Sequence, residues 1–200
     1  MSGNTICYML QYVTYVKCQR GVKDHVQVVS QEVVEDINIH RILAAAENDL
    51  LDPKLQTVST DKICRELSAF YQSHQVCKNR IVEAEPGKDL QFTSDPALLK
   101  YALGHLIRNA LEAVDEGGIV RIWSGRDGKR VVFFVHNAGV IPHEVQLQIF
   151  QRSYSTKGVG RGLGTYAARM LSEKYLRGKV TFNTSPSDGT TFSASYDNLY

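Results

Sequence analysis

The chain has 200 residues, 43% of them hydrophobic and 22% charged, which is the make-up of an ordinary globular protein with room for one good-sized domain and a smaller element. A formal charge of +2 without clustered basic residues gives no case for nucleic acid or an anionic membrane as the main partner. Cys7, Cys18, Cys64 and Cys77 form no C-x-x-C pair and have no histidine at ligand spacing, so reduced thiols are expected rather than disulfides or a metal site; with no apolar run long enough to cross a bilayer, the expected place is the cytoplasm, or the cytoplasmic part of a larger sensor.

Residues 1–52 read as helical. Ile6, Met9, Leu10, Val13 and Val16 follow helical spacing up to a stop at Gly21. Asp24 caps a second expected helix carrying Val26, Val29, Val33, Ile37, Ile42 and Leu43, which runs to about Leu51 before Asp52-Pro53. Such an antiparallel hairpin cannot bury both apolar faces alone, so a homodimeric four-helix bundle is its natural completion.

From Pro53 to Tyr200 the pattern is mixed. Thr60 is the expected cap of a helix with Ile63, Leu67, Phe70 and Tyr71 on one face. Short strands are expected over 80–83 and 90–93. Ser94 or Asp95 caps a strong helix with Leu98, Leu99, Ala102, Leu103, Leu106, Ala110, Leu111 and Val114 in helical register, stopped by Gly117-Gly118. A hairpin of 119–123 and 131–135 turns at Asp127-Gly128. A short helix follows Pro142, then a polar, glycine-rich loop over 153–162, a helix over 163–175, and strands over 179–183 and 190–196. Helices beside hairpin-linked strands predict an α+β fold, a two-layer α/β sandwich with a mixed sheet, preceded by the N-terminal antiparallel helical hairpin. The order does not suit a doubly wound nucleotide fold, in which strand and helix alternate.

Three segments carry candidate chemistry. Gly158, Gly160, Gly162 and Gly164, followed by Thr165, stand at the start of an expected helix; glycines there let backbone amides approach an anion at the positive end of the helix dipole. Lys157 precedes them as a point charge for a terminal phosphate. The run is neither a P-loop nor a Rossmann turn. Asn109 lies among apolar neighbours in the strong helix, where a buried amide wants a partner that a magnesium ion can supply. Asn137, at a strand end two residues before Gly139, suits an adenine edge, with the glycine letting the ring approach.

Together these segments resemble the ATP-binding fold shared by gyrase, mismatch-repair ATPases, heat-shock ninety-type chaperones and histidine kinases, over roughly residues 55–197. The helix around Asn109 resembles the asparagine box, and Asn137 to Gly139 the first glycine box. Phe150 with Ser155, Thr156 and Lys157 resembles the phenylalanine box and lid, Gly160 to Gly164 the second glycine box, and Gly189 to Phe192 the closing strand. Histidine kinases fit best: the hydrolytic members place a water-activating glutamate where His105 stands, and the preceding hairpin resembles a dimerisation and phosphotransfer module.

The resemblance implies a domain over 53–200 that binds Mg-ATP and transfers the γ-phosphoryl to a histidine, after a partial phosphotransfer module over 1–52. The implied catalytic positions are His105 and Asn109, with Asn109 on the metal. The implied nucleotide-binding set is Asn109, Asn137, Gly139, Lys157, Gly160, Gly162, Leu163, Gly164, Thr165 and Thr191. The implied partners are ATP or ADP, a response regulator or phosphoacceptor domain, and a second copy through the N-terminal helices.

Three departures shape the expectation. Only Val140 separates Gly139 from Ile141-Pro142, where the family usually has a second glycine and one more residue. Asparagine stands at 137 where the family usually has aspartate, which keeps a carbonyl acceptor but loses the charge, so weaker adenine binding is expected. No histidine lies on the first expected helix, and neither His25-Val26 nor His40-Arg41 has the usual following acid. A truncation that removed the phosphoacceptor, and any membrane-bound sensor with it, is the reading these residues support; the alternative is a catalytically silent nucleotide-binding and dimerisation module.

Overall fold

The computed structural model describes residues 37–152 and 162–197. The chain divides into two compact units at Asn48/Asp49, close to the expected change of pattern at Pro53. In the first, 37–47 is helical (α1), with Ile39, Leu43 and Ala46 buried and Ile37 exposed. It stops short of the expected Leu51. The first helix of the expected hairpin, His25 and the start of the second helix lie outside the described residues.

The second unit is the α+β sandwich. Its elements are β1 (Gln56–Ser59), α2 (Thr60–Ser73), β2 (Ile81–Ala84), β3 (Gln91–Ser94), α3 (Pro96–Glu112), β4 (Ile119–Asp127), β5 (Arg130–Asn137), the short α4 (His143–Gln146), α5 (Gly164–Tyr175), β6 (Gly178–Ser185) and β7 (Gly189–Asp197). Five strands form a mixed sheet in the order β2-β4-β5-β7-β6; β2 runs parallel to β4 and the other neighbours are antiparallel. β1 and β3 make a separate antiparallel pair. The four-residue β1 has no counterpart among the expected strands, because only Val58 in it is buried and one apolar residue makes no period.

Alternation assigns the two sheet faces. Val120, Ile122, Phe133, Val135, Val180, Phe192, Ala194 and Tyr196 are buried on the face where α2, α3 and α5 pack. Arg121, Trp123, Phe134, His136, Thr191 and Ser193 alternate with them on the other face. There Trp123 and Phe134 stack at 5.2 Å, opposite each other in the ladder.

Capping fixes where the longest helix begins. Asp95 is buried and accepts from Ala97 N at 2.8 Å, Leu98 N at 2.9 Å and Lys54 N at 2.6 Å. Pro96 follows as the first helical residue, its missing N–H costing nothing there. For α2 the cap is Ser59, whose side chain accepts from Lys62 N, and the expected Thr60 is the first helical residue instead. Asp95→Ala, which orphans three amides, is expected to lower stability by about 2 kcal/mol in chemical denaturation, while Asp95→Asn, itself a good cap, restores most of that loss.

Candidate functional site

α3 has two faces. Leu99, Ala102, Leu103, Leu106, Ile107, Ala110 and Leu111 are buried, whereas Tyr101, His105, Arg108, Asn109 and Glu112 form a half-buried stripe at helical spacing. Asn109 therefore sits on the polar stripe, not among the apolar residues that surround it in sequence. Its side-chain amide makes no hydrogen bond among the described residues. Arg108 Nε pairs with Glu112 Oε1 at 3.1 Å on either side of it.

His105 lies where α3 meets the beginning of α5. Its Nδ1 is 3.3 Å from where a Cβ on Gly164 would stand, so glycine lets the two helices approach. Tyr101 meets the imidazole edge-on at 4.6 Å. The His105 Nε2 is buried without a hydrogen-bond partner among the described residues. Burial, reinforced by Arg108 and opposed by Glu112, pushes its pKa down to about 4, so the ring is neutral at pH 7.

α5 opens without a side-chain cap, after Leu163 and after Gly162 at φ +97°. The N-terminus of α5 thus presents the positive end of its helix dipole, which suits an anion. Leu163 is buried. The Thr165 hydroxyl is committed to the Ile149 carbonyl, which ties the start of α5 to the segment before the expected lid. Lys157 and Gly160 lie outside the described residues.

The C-terminal end of α3 meets the other half of the site. A Cβ on Gly139 would stand 2.5 Å from Ala113 O and 2.8 Å from Asn137 Nδ2, so only glycine fits. Asn137 is buried, and the sheet register puts it in one row with Thr190 on β7 and Thr184 on β6. The Thr190 hydroxyl donates to Gly139 O at 2.7 Å and lies 2.8 Å from that of Thr184, and Thr184 Oγ1 accepts from Ile141 N at 3.1 Å. Phe150 closes this side against Phe182 and Phe192, with Arg169 over its ring.

Thr191, expected in the binding set, does not join this row. It pairs with His136 across the ladder, and its hydroxyl is 3.0 Å from His136 Nδ1 on the face away from Asn137. The residues in the row are Thr190 and Thr184. The signal lay in β7 itself: counting back by twos from Tyr196, Ala194 and Phe192 reaches Thr190, not Thr191.

Residues 94–198 match the model of the histidine kinase-, DNA gyrase B- and HSP90-like ATPase family, and the chain belongs to that family. Over 155 residues it is 31% identical to sporulation kinase B of Bacillus subtilis, covering 76% of this chain and 36% of that protein. The catalytic domain of the histidine kinase ThkA superposes with a TM-score of 0.61 at 26% identity, covering 72% of this chain and 98% of that one. Acinetobacter baumannii histidine kinase AdeS, at 16% identity, shares the fold with a TM-score of 0.69 over 98% of this chain and 97% of that one. The chain spans 36% and 40% of the sporulation kinases B and C it matches. No helix among the described residues is long and apolar enough to cross a membrane.

Proposed function

We propose that residues 53–200 are the catalytic region of a histidine kinase, binding Mg-ATP along α3 and passing the γ-phosphoryl to a histidine of a two-component partner. One observation carries the nucleotide reading. A single helix presents a base-reading row at its C-terminal end and an uncapped, glycine-started helix at His105, with Asn109 between. Ala113 stands eight positions beyond His105, ~12 Å along the axis at ~1.5 Å per residue, a length that suits a base at one end and phosphates at the other.

The donor set suits magnesium held through phosphates. No cluster of three His, Cys, Asp or Glu among the described residues could hold a metal by itself, whereas the unpartnered amide of Asn109 offers one hard oxygen, enough for an ion whose other ligands are water and phosphate. When bound, the ion would neutralise charge on the transferring phosphoryl. Asn137 and Thr190 orient the base, and Gly139 lets it approach. The N–H groups opening α5 bind phosphate oxygens. Lys157 and Gly160 belong to the proposed lid side of the same site. His105 stands where the resemblance places the water-activating glutamate of the hydrolytic members, so that carboxylate is absent here, which favours transfer to a histidine over hydrolysis. ShkA, a fold neighbour at 19% identity, was crystallised with AMPPNP.

The decisive measurement is calorimetric titration with ATP, with and without magnesium. Magnesium is expected to tighten binding to the wild type, and Asn109→Ala to remove that gain, about tenfold or more. No heat from the folded wild type would refute the nucleotide reading.

The phosphoacceptor, the cognate response regulator, dimerisation through the N-terminal helices and a cytoplasmic setting belong to the same proposal. His40, on α1, is exposed but lacks a following acid. The asparagine at 137, in place of the family's usual aspartate, favours the second reading, a catalytically silent nucleotide-binding and dimerisation module. Transfer of labelled phosphate from ATP to a separately supplied histidine-bearing helical domain would decide for the kinase.

A further inference from the structure

We infer that the base end of this site is not restricted to a 6-aminopurine: the Asn137 amide lets it take 6-oxopurine nucleotides as well. The inference rests on the nucleotide reading above and concerns the chemistry of this one side chain.

Asn137 is 1% exposed, so its amide must be satisfied by the protein or by what binds there. Its one side-chain hydrogen bond among the described residues runs from Nδ2 to Gly139 O at 3.5 Å, the outer limit for such a bond. Gly139 O does not depend on it, because the Thr190 hydroxyl already donates to that carbonyl at 2.7 Å. The amide is therefore close-packed but weakly pinned, and the terminal torsion of asparagine is soft.

The two orientations of an amide present opposite chemistry. In the observed one Nδ2 is engaged with Gly139 and Oδ1 remains the acceptor, which suits the exocyclic amine of adenine. A half-turn of the amide presents Nδ2 as donor, which suits the carbonyl at C6 of hypoxanthine or guanine. The turn gives up one long hydrogen bond and brings Oδ1 towards a carbonyl whose charge the Thr190 proton already offsets. A carboxylate at this position could only accept and would repel a 6-oxo group. Asparagine here is thus more than a weakened aspartate, because it exchanges charge for tolerance.

The test uses the full chain and compares ADP with IDP, the nucleotide that carries the 6-oxo group without guanine's 2-amino group, by calorimetry on the wild type and on Asn137→Asp. IDP is expected to bind the wild type within about tenfold of ADP, the difference of one weak hydrogen bond. Asn137→Asp is expected to weaken IDP about a hundredfold or more, as sites with a mismatched polar group do, while tightening ADP through a charged acceptor. A wild-type ratio beyond about thirtyfold against IDP overturns the inference and leaves the adenine site standing, and so does an Asn137→Asp variant that binds IDP unchanged. Failure of ADP itself on the folded wild type overturns the nucleotide reading along with it. Should the aspartate variant not fold, the wild-type ratio decides alone.

Discussion

Acidifying the protein from pH 7 to pH 4 is expected to cost about 3 kcal/mol of stability through His105 alone. The ring is held at a pKa of about 4 against an ordinary 6.5, so the folded state resists a proton that the unfolded chain accepts. The contribution is complete above pH 6.5 and is lost progressively as the pH falls towards 4. The cause is first burial at the α3–α5 contact, then the Arg108 guanidinium, with the Glu112 carboxylate acting the other way; on the α5 side the ring meets Gly164, which brings no charge. Urea denaturation of wild type and His105→Gln across this range isolates the effect, because glutamine does not titrate and the exposed carboxylates are common to both. The wild type should lose about 3 kcal/mol more than the variant, and parallel pH profiles would show that the imidazole reaches water in the folded state.

Gly189→Ala is expected to be as damaging, costing about 3 kcal/mol and much of the nucleotide affinity. Gly189 opens β7 at φ +69°, where a side chain adds strain of about 1 kcal/mol. Its Cβ would fall against Asn137 O and 2.7 Å from Ala138 Cα, both backbone, so no side chain can swing aside and overpacking adds about 1–3 kcal/mol. The turn can relieve the clash only by pushing the end of β5 away, and that end carries Asn137 and leads to Gly139. Denaturation together with ADP titration reads both effects. A loss below about 1 kcal/mol with unchanged affinity would mean that the turn yields without moving the site.

Both substitutions bear on how the sequence writes this site. The glycines at 139, 164 and 189 are visible in the sequence, but the reason for each is a neighbour far along the chain: Ala113 O, His105 and the end of β5. Spacing alone singled out Asn109, Asn137 and the start of α5 as the proposed site residues. It singled out Thr191 as well, which lies on the opposite sheet face from Asn137, because a motif read as a string does not say which face each residue takes, whereas strand alternation does. It also left Asn109 among apolar neighbours, when the helical stripe from Tyr101 to Glu112 places it on the polar side.

The sequence by itself determined the elements of the sandwich other than β1, and their order, since long amphipathic helices and alternating strands encode their own periods. Tertiary structure alone decided the rest. The parallel pairing of β2 with β4, the small β1–β3 ladder, the meeting of His105 with Gly164 and the row of Asn137, Thr190 and Thr184 join residues distant in sequence. Such contacts are fixed by register and packing, which no local period records.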